Sequence, residues 1–305
     1  MKTILVTGHE GLVGRYVWPE LENLGFRVKG IDLRSRRKTF RGDICEAEQM
    51  VKAMEGCNGV IHFAAVSRVV HGQNNPDLCW KTNAKASRAL LDLAVQSPLK
   101  PWVLVASSRE VYGESGTLPV KESTPLQPVN IYGRSKKAME DAAFEARKQG
   151  LNTAVVRLAN VYGCTFDHPD RVLPAFCRAA VLGESLRVDG GQNTFDFTHV
   201  SDVAKGILRI VDLLDSGVSN LPALHLLPGI PTTLELAAKM AIAAAHTSAA
   251  IVEAPPREYD VSRFVGCPDL AHKVLGWRAE ISPQAGISMF VETFRKQLTE
   301  IRNAI

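Results

Sequence analysis

Three side chains of this sequence are of the right types to move a proton and a hydride together: Ser108, Tyr132 and Lys136. Tyr132 and Lys136 stand four residues apart in Tyr132-Gly133-Arg134-Ser135-Lys136, at the start of an expected helix. That spacing stacks phenol and ammonium one turn apart on one face. A free tyrosine has a pKa near ~10, and service as a base near neutrality asks for a drop of ~3 units, roughly 4 kcal/mol. A nearby ammonium and the positive ring of an oxidised nicotinamide both favour the phenolate. The spacing by itself describes a surface Tyr–Lys pair equally well. Ser108 tips the balance, because it ends the apolar run Trp102–Ala106 and its neighbour Ser107, where its hydroxyl can meet the same substrate oxygen. The trio then makes a hydride-transfer site in which Tyr132 takes the alcohol proton, a nicotinamide takes the hydride and Ser108 steadies the oxygen.

Such a site needs a dinucleotide held nearby, and the N-terminal stretch KTILVTGHEGLVG supplies one. Thr3–Thr7 is a β-branched, apolar run suited to a buried strand. Gly8, Gly11 and Gly14 follow at three-residue intervals, running into Leu12 and a helix expected to about Leu24. Glycines at a strand-to-helix turn permit positive φ and remove the Cβ atoms that would block a phosphate. The helix start offers unpaired N–H groups and a positive dipole end to a pyrophosphate. A second strand, Phe26–Ile31, ends in Asp32, placed to accept both ribose hydroxyls of NAD and to repel the extra phosphate of NADP. NAD is therefore the expected cofactor, although Arg34, Arg36 and Arg37 follow closely and could greet that phosphate. The bland alternative is a βαβ unit with no ligand.

Strand and helix patterns alternate through the first half. A helix is expected over Glu46–Met54, a strand over Gly59–Phe63, a long helix over Asp77–Val95, a strand over Trp102–Ala106, a helix over Val129–Lys148 and a strand over Thr153–Leu158. Strands separated by helices imply parallel pairing with right-handed crossovers, hence an α/β, doubly wound parallel sheet of Rossmann type. The second half is richer in proline and turns, with helices expected over Ala175–Leu182 and Ser201–Leu214. It reads as a smaller, mostly C-terminal substrate-binding lobe. The expected division gives residues 1–165 to the dinucleotide-binding domain, with 189–222 returning to it, and 166–188 plus 223–305 to the lobe.

Bulk properties narrow the class. The chain has 305 residues, 46% hydrophobic and 22% charged, with a formal charge of +4. That charge is too small and too evenly spread for nucleic acid. No apolar segment approaches a bilayer span. The N-terminus enters a strand at once, without a signal-peptide layout, so a cytoplasmic enzyme is expected. Six scattered cysteines form no C-x-x-C and no paired histidine ligands, which suits free thiols and no metal site.

Taken together, the motifs resemble the extended short-chain dehydrogenase/reductase superfamily, and within it the NAD-dependent nucleotide-sugar epimerases and dehydratases. The resemblance covers nearly the whole chain. It rests on Thr7-Gly8-x-x-Gly11-x-x-Gly14, Gly42-Asp43-Ile44, His62-Phe63-Ala64-Ala65, Asn83, and Ser107-Ser108-Arg109-Glu110-Val111-Tyr112-Gly113. It continues through Tyr132-x-x-x-Lys136, Arg157–Gly163, Asp196–Val200 and Leu275-Gly276-Trp277. The resemblance implies that Asp43 and Ile44 meet the adenine, that Ala64, Ala65 and Asn83 line the cofactor, and that Lys136 also holds the nicotinamide ribose. It assigns Asn160 to the substrate sugar or its phosphates, Arg257 to the nucleotide diphosphate, and Val172 and Leu173 to packing of the nucleotide base. A homodimer through the Asp77–Val95 and Val129–Lys148 helices is implied as well.

Two departures stand out. Where the family reads Arg-Asp-Phe, this chain has Phe195-Asp196-Phe197, so a guanidinium that contacts the substrate's phosphates is lost; Phe195 becomes either an apolar wall or core. Asn83-Ala84-Lys85-Ala86-Ser87 replaces Asn-x-x-Gly-Thr, a change expected to affect helix packing only. Glu110 bears on the reaction. Related dehydratases and uronate decarboxylases keep a glutamate at this position as an additional base, whereas an epimerase at carbon 4 needs none. The alternative is a structural carboxylate paired with Arg109. The implied activity is an NAD-dependent enzyme that transiently oxidises carbon 4 of a nucleotide-activated sugar, with epimerisation ahead of dehydration or decarboxylation. A dehydrogenase of a non-nucleotide sugar or sugar acid, and a non-catalytic dinucleotide sensor, are the competing readings. His62, His71 and His199 are expected to be packed or hydrogen-bonded.

Overall fold

The computed structural model describes residues 1–257 and 261–303. Its first half alternates as the sequence pattern implies: β1 (Thr3–Thr7), α1 (Leu12–Asn23), β2 (Arg27–Ile31), α2 (Ala47–Met54) and β3 (Gly59–His62). Two short helices, α3 (Val69–Asn74) and α4 (Pro76–Trp80), precede α5 (Ser87–Gln96), β4 (Trp102–Ser108), α6 (Ile131–Lys148) and β5 (Thr153–Leu158). The second half holds β6 (Asn160–Tyr162), α7 (Val172–Leu182), β7 (Leu186–Asp189), β8 (Thr194–His199), α8 (Val200–Asp215) and β9 (Leu224–Leu226). It ends with β10 (Pro231–Thr233), α9 (Leu234–Ala245), β11 (Ile251–Ala254), α10 (Asp269–Leu275) and α11 (Pro283–Asn303).

The main sheet has six parallel strands in the order β2-β1-β3-β4-β5-β9. Its central strands are buried on both faces, which is why they read as unbroken apolar runs. One face is covered by α1, α8 and α10, and the other by α2, α5 and α6, each with its own apolar core. Register does the positioning. Thr7 pairs with Ile31 and with His62, so β1, β2 and β3 end in one row, while β4, whose Val105 pairs with His62, runs on to Ser108. The end of β4 carries Ser108, and the loops leaving that row carry Gly8, Asp32 and Ala64. They open where the strand order reverses about β1, the usual ligand position in such sheets.

A third core joins α7, α9 and α11 to two small sheets, β10-β8-β6 and β11-β7. Of the returning segment 189–222, α8 lies with the main sheet, whereas β8 places Phe195 and Phe197 in this third core; β9, which falls in the stretch 223–305 expected to belong to the lobe, instead pairs with β5 in the main sheet. The helix expected over Asp77–Val95 is interrupted: Lys81–Ala86 forms a π-helical segment between α4 and α5. Asn83 sits in that segment, turned inward to bond Val66 and Ser135. Such π segments are associated with functional sites. Asp202 lies in the first turn of α8 and also accepts hydrogen bonds from the backbone N–H of Glu280 and Ile281. The α8 cap is the ring of His199, whose Nδ1 accepts from Ser201 N. Among the described residues no helix is long and apolar enough to cross a membrane.

Candidate active site

The row of strand ends opens into one cleft of about 1080 Å3, at the upper end of the range for a single small ligand, about 1,000 Å3. Gly8, Gly11, Leu12 and Gly14 line it, together with Asp32, Asp43, Ile44, Ala64 and Ala65. Ser108, Glu110, Tyr132 and Lys136 line it too, as do Asn160, Val172, Leu173 and Arg257. Two residues assigned to ligand contact do not line the cleft: Asn83 and Phe195 are both buried behind it.

Backbone crowding forces the glycine turn. Gly8 has φ +70°, and a Cβ there would stand 2.6 Å from Ala64 N. A Cβ on Gly14 would stand 2.7 Å from Gly8 O, so strand, turn and helix touch through main chain alone. No side chain caps α1, whose N-cap is Gly11, and its first residues face the cleft with unpaired N–H groups. Asp32 accepts from Glu10 N at 2.9 Å and from Arg34 N at 2.8 Å, one donor on each oxygen. Its remaining lone pairs can take ribose hydroxyls. Arg34 is exposed, with Nε 3.9 Å from Asp32 Oδ1. Asp43 Oδ1 accepts from Cys45 N at 2.8 Å. A glycine cradle, an uncapped helix start and an acidic residue after β2 form the donor set a dinucleotide requires.

A chain of hydrogen bonds anchors this end, and its proton order can be deduced. Ser87 Oγ donates to Asn83 O at 2.7 Å, so it can only accept from His62 Nε2 at 2.8 Å. His62 Nδ1 must then accept from Thr7 Oγ1 at 2.7 Å, which itself accepts from Ala64 N at 3.1 Å. Burial, with the charge of Lys136 adding to it, lowers the His62 pKa to about 3 and keeps this latch neutral. His71 lies edge-on to the His168 ring at 5.4 Å, at the cleft mouth. There Arg68 pairs with Asp170, and Arg171 Nη2 donates to Ser67 O at 3.1 Å.

The reactive trio converges as its spacing requires. Asn130 caps α6, its Oδ1 accepting from Gly133 N at 2.8 Å. A Cβ on Gly133 would lie 2.4 Å from Glu110 O, so glycine lets α6 press Tyr132 against the turn after β4. Burial pushes the Tyr132 phenol up to about 12, opposed by a hydrogen bond with Ser108 and by the charge of Arg171. Lys136 Nζ donates to Ala106 O at 2.8 Å and lies 6.0 Å from the Tyr132 ring centre. Burial also lowers the Lys136 ammonium to about 8, with Cys79 and Glu140 opposing. Desolvation dominates both groups, so the protein alone leaves the phenol protonated at neutral pH.

Glu110 is held at both oxygens. Oε1 pairs with Arg109 Nη2 at 2.9 Å, and Oε2 accepts from Asn130 Nδ2 at 2.8 Å. Arg109 also donates from Nε to Asn160 Oδ1 at 3.0 Å, and its guanidinium carbon lies 4.5 Å over the Phe195 ring. Phe195 is thus core that supports a cation. Arg257 is half exposed, with Nη2 3.4 Å from Asp189 Oδ2. Sequence reasoning missed Asn130, which joins Tyr132's helix to Glu110. An Asn just before a helical pattern is a cap signal, and heeding it starts the helix at Ile131 rather than Val129.

Comparison with known proteins agrees with this geometry. The model of the NAD dependent epimerase/dehydratase family matches residues 4–221, and the chain belongs to that family. Its cofactor is accordingly NAD, and its main sheet and cleft are those of an NAD-dependent enzyme. The chain is 27% identical to the UDP-glucose 4-epimerase of Lacticaseibacillus casei over 310 residues, covering 90% of this chain and 91% of the relative. It superposes with a TM-score of 0.88 on the Thermotoga maritima UDP-glucose 4-epimerase solved with UDP-glucose, at 27% identity over 97% of this chain and 99% of that one. MoeE5, solved with UDP-glucuronic acid and NAD, gives a TM-score of 0.87 at 26% identity over 97% and 99% of the two chains.

Proposed function

We propose that the protein transiently oxidises carbon 4 of a nucleotide-activated sugar and returns the hydride to the opposite face, a 4-epimerisation. The observation that carries this is the meeting of Ser108, Tyr132 and Lys136 in the cleft that begins at the glycine turn. NAD would be held by the α1 N-terminus, Asp32, Asp43 and Lys136, and when bound it supplies a hydride acceptor and a positive ring. Tyr132 then accepts the alcohol proton while Ser108 holds the oxygen. The Lys136 ammonium, fixed on Ala106 O, favours the phenolate that takes this proton. Asn160, Val172, Leu173 and Arg257 also line the cleft and would contact the sugar nucleotide. The similarity to UDP-sugar epimerases makes UDP the first nucleotide to test.

Dehydration or decarboxylation with Glu110 as base is the second reading. Against it, both Glu110 oxygens are held by Arg109 and Asn130, which leaves epimerisation the simpler fit. The reading includes a cytoplasmic homodimer. The free cysteines suit a reducing compartment, and Leu78 and Trp80 are exposed on the helices through which pairing is expected. The division into a dinucleotide-binding domain and a substrate lobe belongs to the same proposal. The test is product analysis on UDP-, dTDP-, GDP- and CDP-sugars without added cofactor, together with the NAD content of the purified protein. Tyr132→Phe should lower kcat by about 10²–10⁴-fold with NAD retained. A need for stoichiometric NADPH, or an unchanged Tyr132→Phe rate, would overturn it.

A further inference from the structure

Arg109 is a cation to which the reaction above gives no task. It directly follows Ser108, lines the cleft and is about nine-tenths buried. Its plane is fixed. Phe195 lies 4.5 Å from the guanidinium carbon and Phe264 5.9 Å, while Nε is spent on Asn160 and Nη2 on Glu110. Nη1, however, is buried with no acceptor among the described residues. An unpaired buried guanidinium nitrogen is costly, and the other cleft arginines near the trio do not share this state. Arg68 has Asp170, and Arg171 has Ser67 and Asp167.

We propose that Arg109 seats a carboxylate at carbon 6 of the sugar, so that the preferred substrate is a nucleotide-activated uronic acid. This rests on the nucleotide-sugar reading and narrows it. Ser108 and Tyr132 mark where the oxygen on carbon 4 must lie. A nucleotide sugar carries its diphosphate on carbon 1, across the ring from that oxygen. Carbon 6 hangs from carbon 5, next to the reacting carbon, and in a uronic acid it is an anion. The side chain adjacent to Ser108 therefore meets the carbon 6 group rather than the diphosphate. A guanidinium with a fixed plane suits a carboxylate. A neutral hydroxymethyl group would leave it under-satisfied, and buried polar groups discriminate strongly against ligands that leave them unpaired. Glu110 neutralises Arg109 before the ligand arrives. Asn130 holds the other Glu110 oxygen, so the carboxylate stays in place when Arg109 is shared.

The test compares binding of UDP, UDP-glucose and UDP-glucuronate to the NAD-saturated protein by equilibrium competition. The wild type should favour UDP-glucuronate over UDP-glucose by about tenfold or more. Arg109→Gln should bring the ratio near one, and Arg109→Lys, which keeps the charge and loses the fork, should fall between. Binding of UDP itself should not change. A wild-type ratio of one or below overturns the proposal whether or not the variants fold. Equal weakening of UDP and both sugars in Arg109→Gln also overturns it, because that is the result of a diphosphate contact. If UDP-sugars are not bound at all, the nucleotide-sugar reading fails first and this proposal falls with it. Equal binding of both sugars leaves that reading standing and removes only the carboxylate seat.

Discussion

The two walls of the cleft are built by different physics. On the cofactor side the contacts that matter are main chain on main chain: Gly8 against Ala64, Gly14 against Gly8, and Asp32 bonded to two backbone N–H groups. On the proposed substrate side they are side chain on side chain, between partners far apart in sequence. Arg109 meets Asn160 at a separation of 51 residues, and Arg68 meets Asp170 at 102. The first wall leaves almost no room for an atom added at Gly8 or Gly14. The second is a balance of charges and rings that can be retuned one substitution at a time. A fold can therefore keep one cofactor while its substrate side diverges.

Gly8→Ala should break the first wall most severely. The new Cβ meets the backbone N of Ala64, just past β3, at 2.6 Å, and alanine is strained at φ +70°. Left-handed strain of about 1–2 kcal/mol adds to overpacking of about 1–3 kcal/mol. Denaturant unfolding should show a loss of that combined order, and the purified variant should lack NAD. A variant that unfolds like wild type and still carries cofactor would show that the turn is not sterically set.

The same contrast explains what the sequence reveals. Gly8, Gly11, Gly14 and Asp32 sit within one βαβ unit, and Tyr132 and Lys136 within one helical turn, so local spacing places them. The alternation of apolar runs likewise yields the parallel sheet, because strands buried on both faces have no polar positions to obscure them. The π-helical segment at Lys81–Ala86 leaves no local mark, since it exists to turn Asn83 toward Val66 and Ser135. The β10-β8-β6 sheet is equally hidden, because its strands are short and drawn from distant segments. Phe195 is the clearest case. Its type fits a wall or a core, and only the position of Arg109 shows that it supports a guanidinium.

Asp196, one residue on, sharpens the comparison through pH. Its carboxylate accepts from Gly266 N at 3.2 Å and from the backbone of Ile230 and Gly229, tying the substrate-side sheet to two loops. Burial raises its pKa to about 7, against those hydrogen bonds. In the unfolded chain it titrates near ~3.9. Between these values the folded state holds a proton that the unfolded state has released, so this group's contribution to stability falls as pH rises from about 4 to about 7. The total is a few kcal/mol, at about 1.4 kcal/mol per unit. Asp196→Asn cannot ionise. Subtracting its unfolding free energies from those of wild type at pH 4.5, 5.5, 6.5 and 7.5, should yield a curve that declines across the window. A flat difference would mean that Asp196 is ionised throughout.

Arg257→Ala should have the smallest effect. The guanidinium is half exposed, and its partner Asp189 already holds Arg187 Nε at 2.8 Å, so the Arg257 pair adds little. Stability should change by no more than about 0.5 kcal/mol. What Arg257 can contribute is a charge on the lining of the cleft. A contact to a nucleotide diphosphate would be made equally in ground and transition states. Its loss should then raise KM by a few-fold, about 0.6–1.4 kcal/mol, and leave kcat unchanged. Competition by free UDP should weaken by the same factor, because the contact is to phosphate and not to sugar. If KM and UDP competition both hold at wild-type values, Arg257 serves only Asp189, and the substrate-side wall ends at Asn160 and α7.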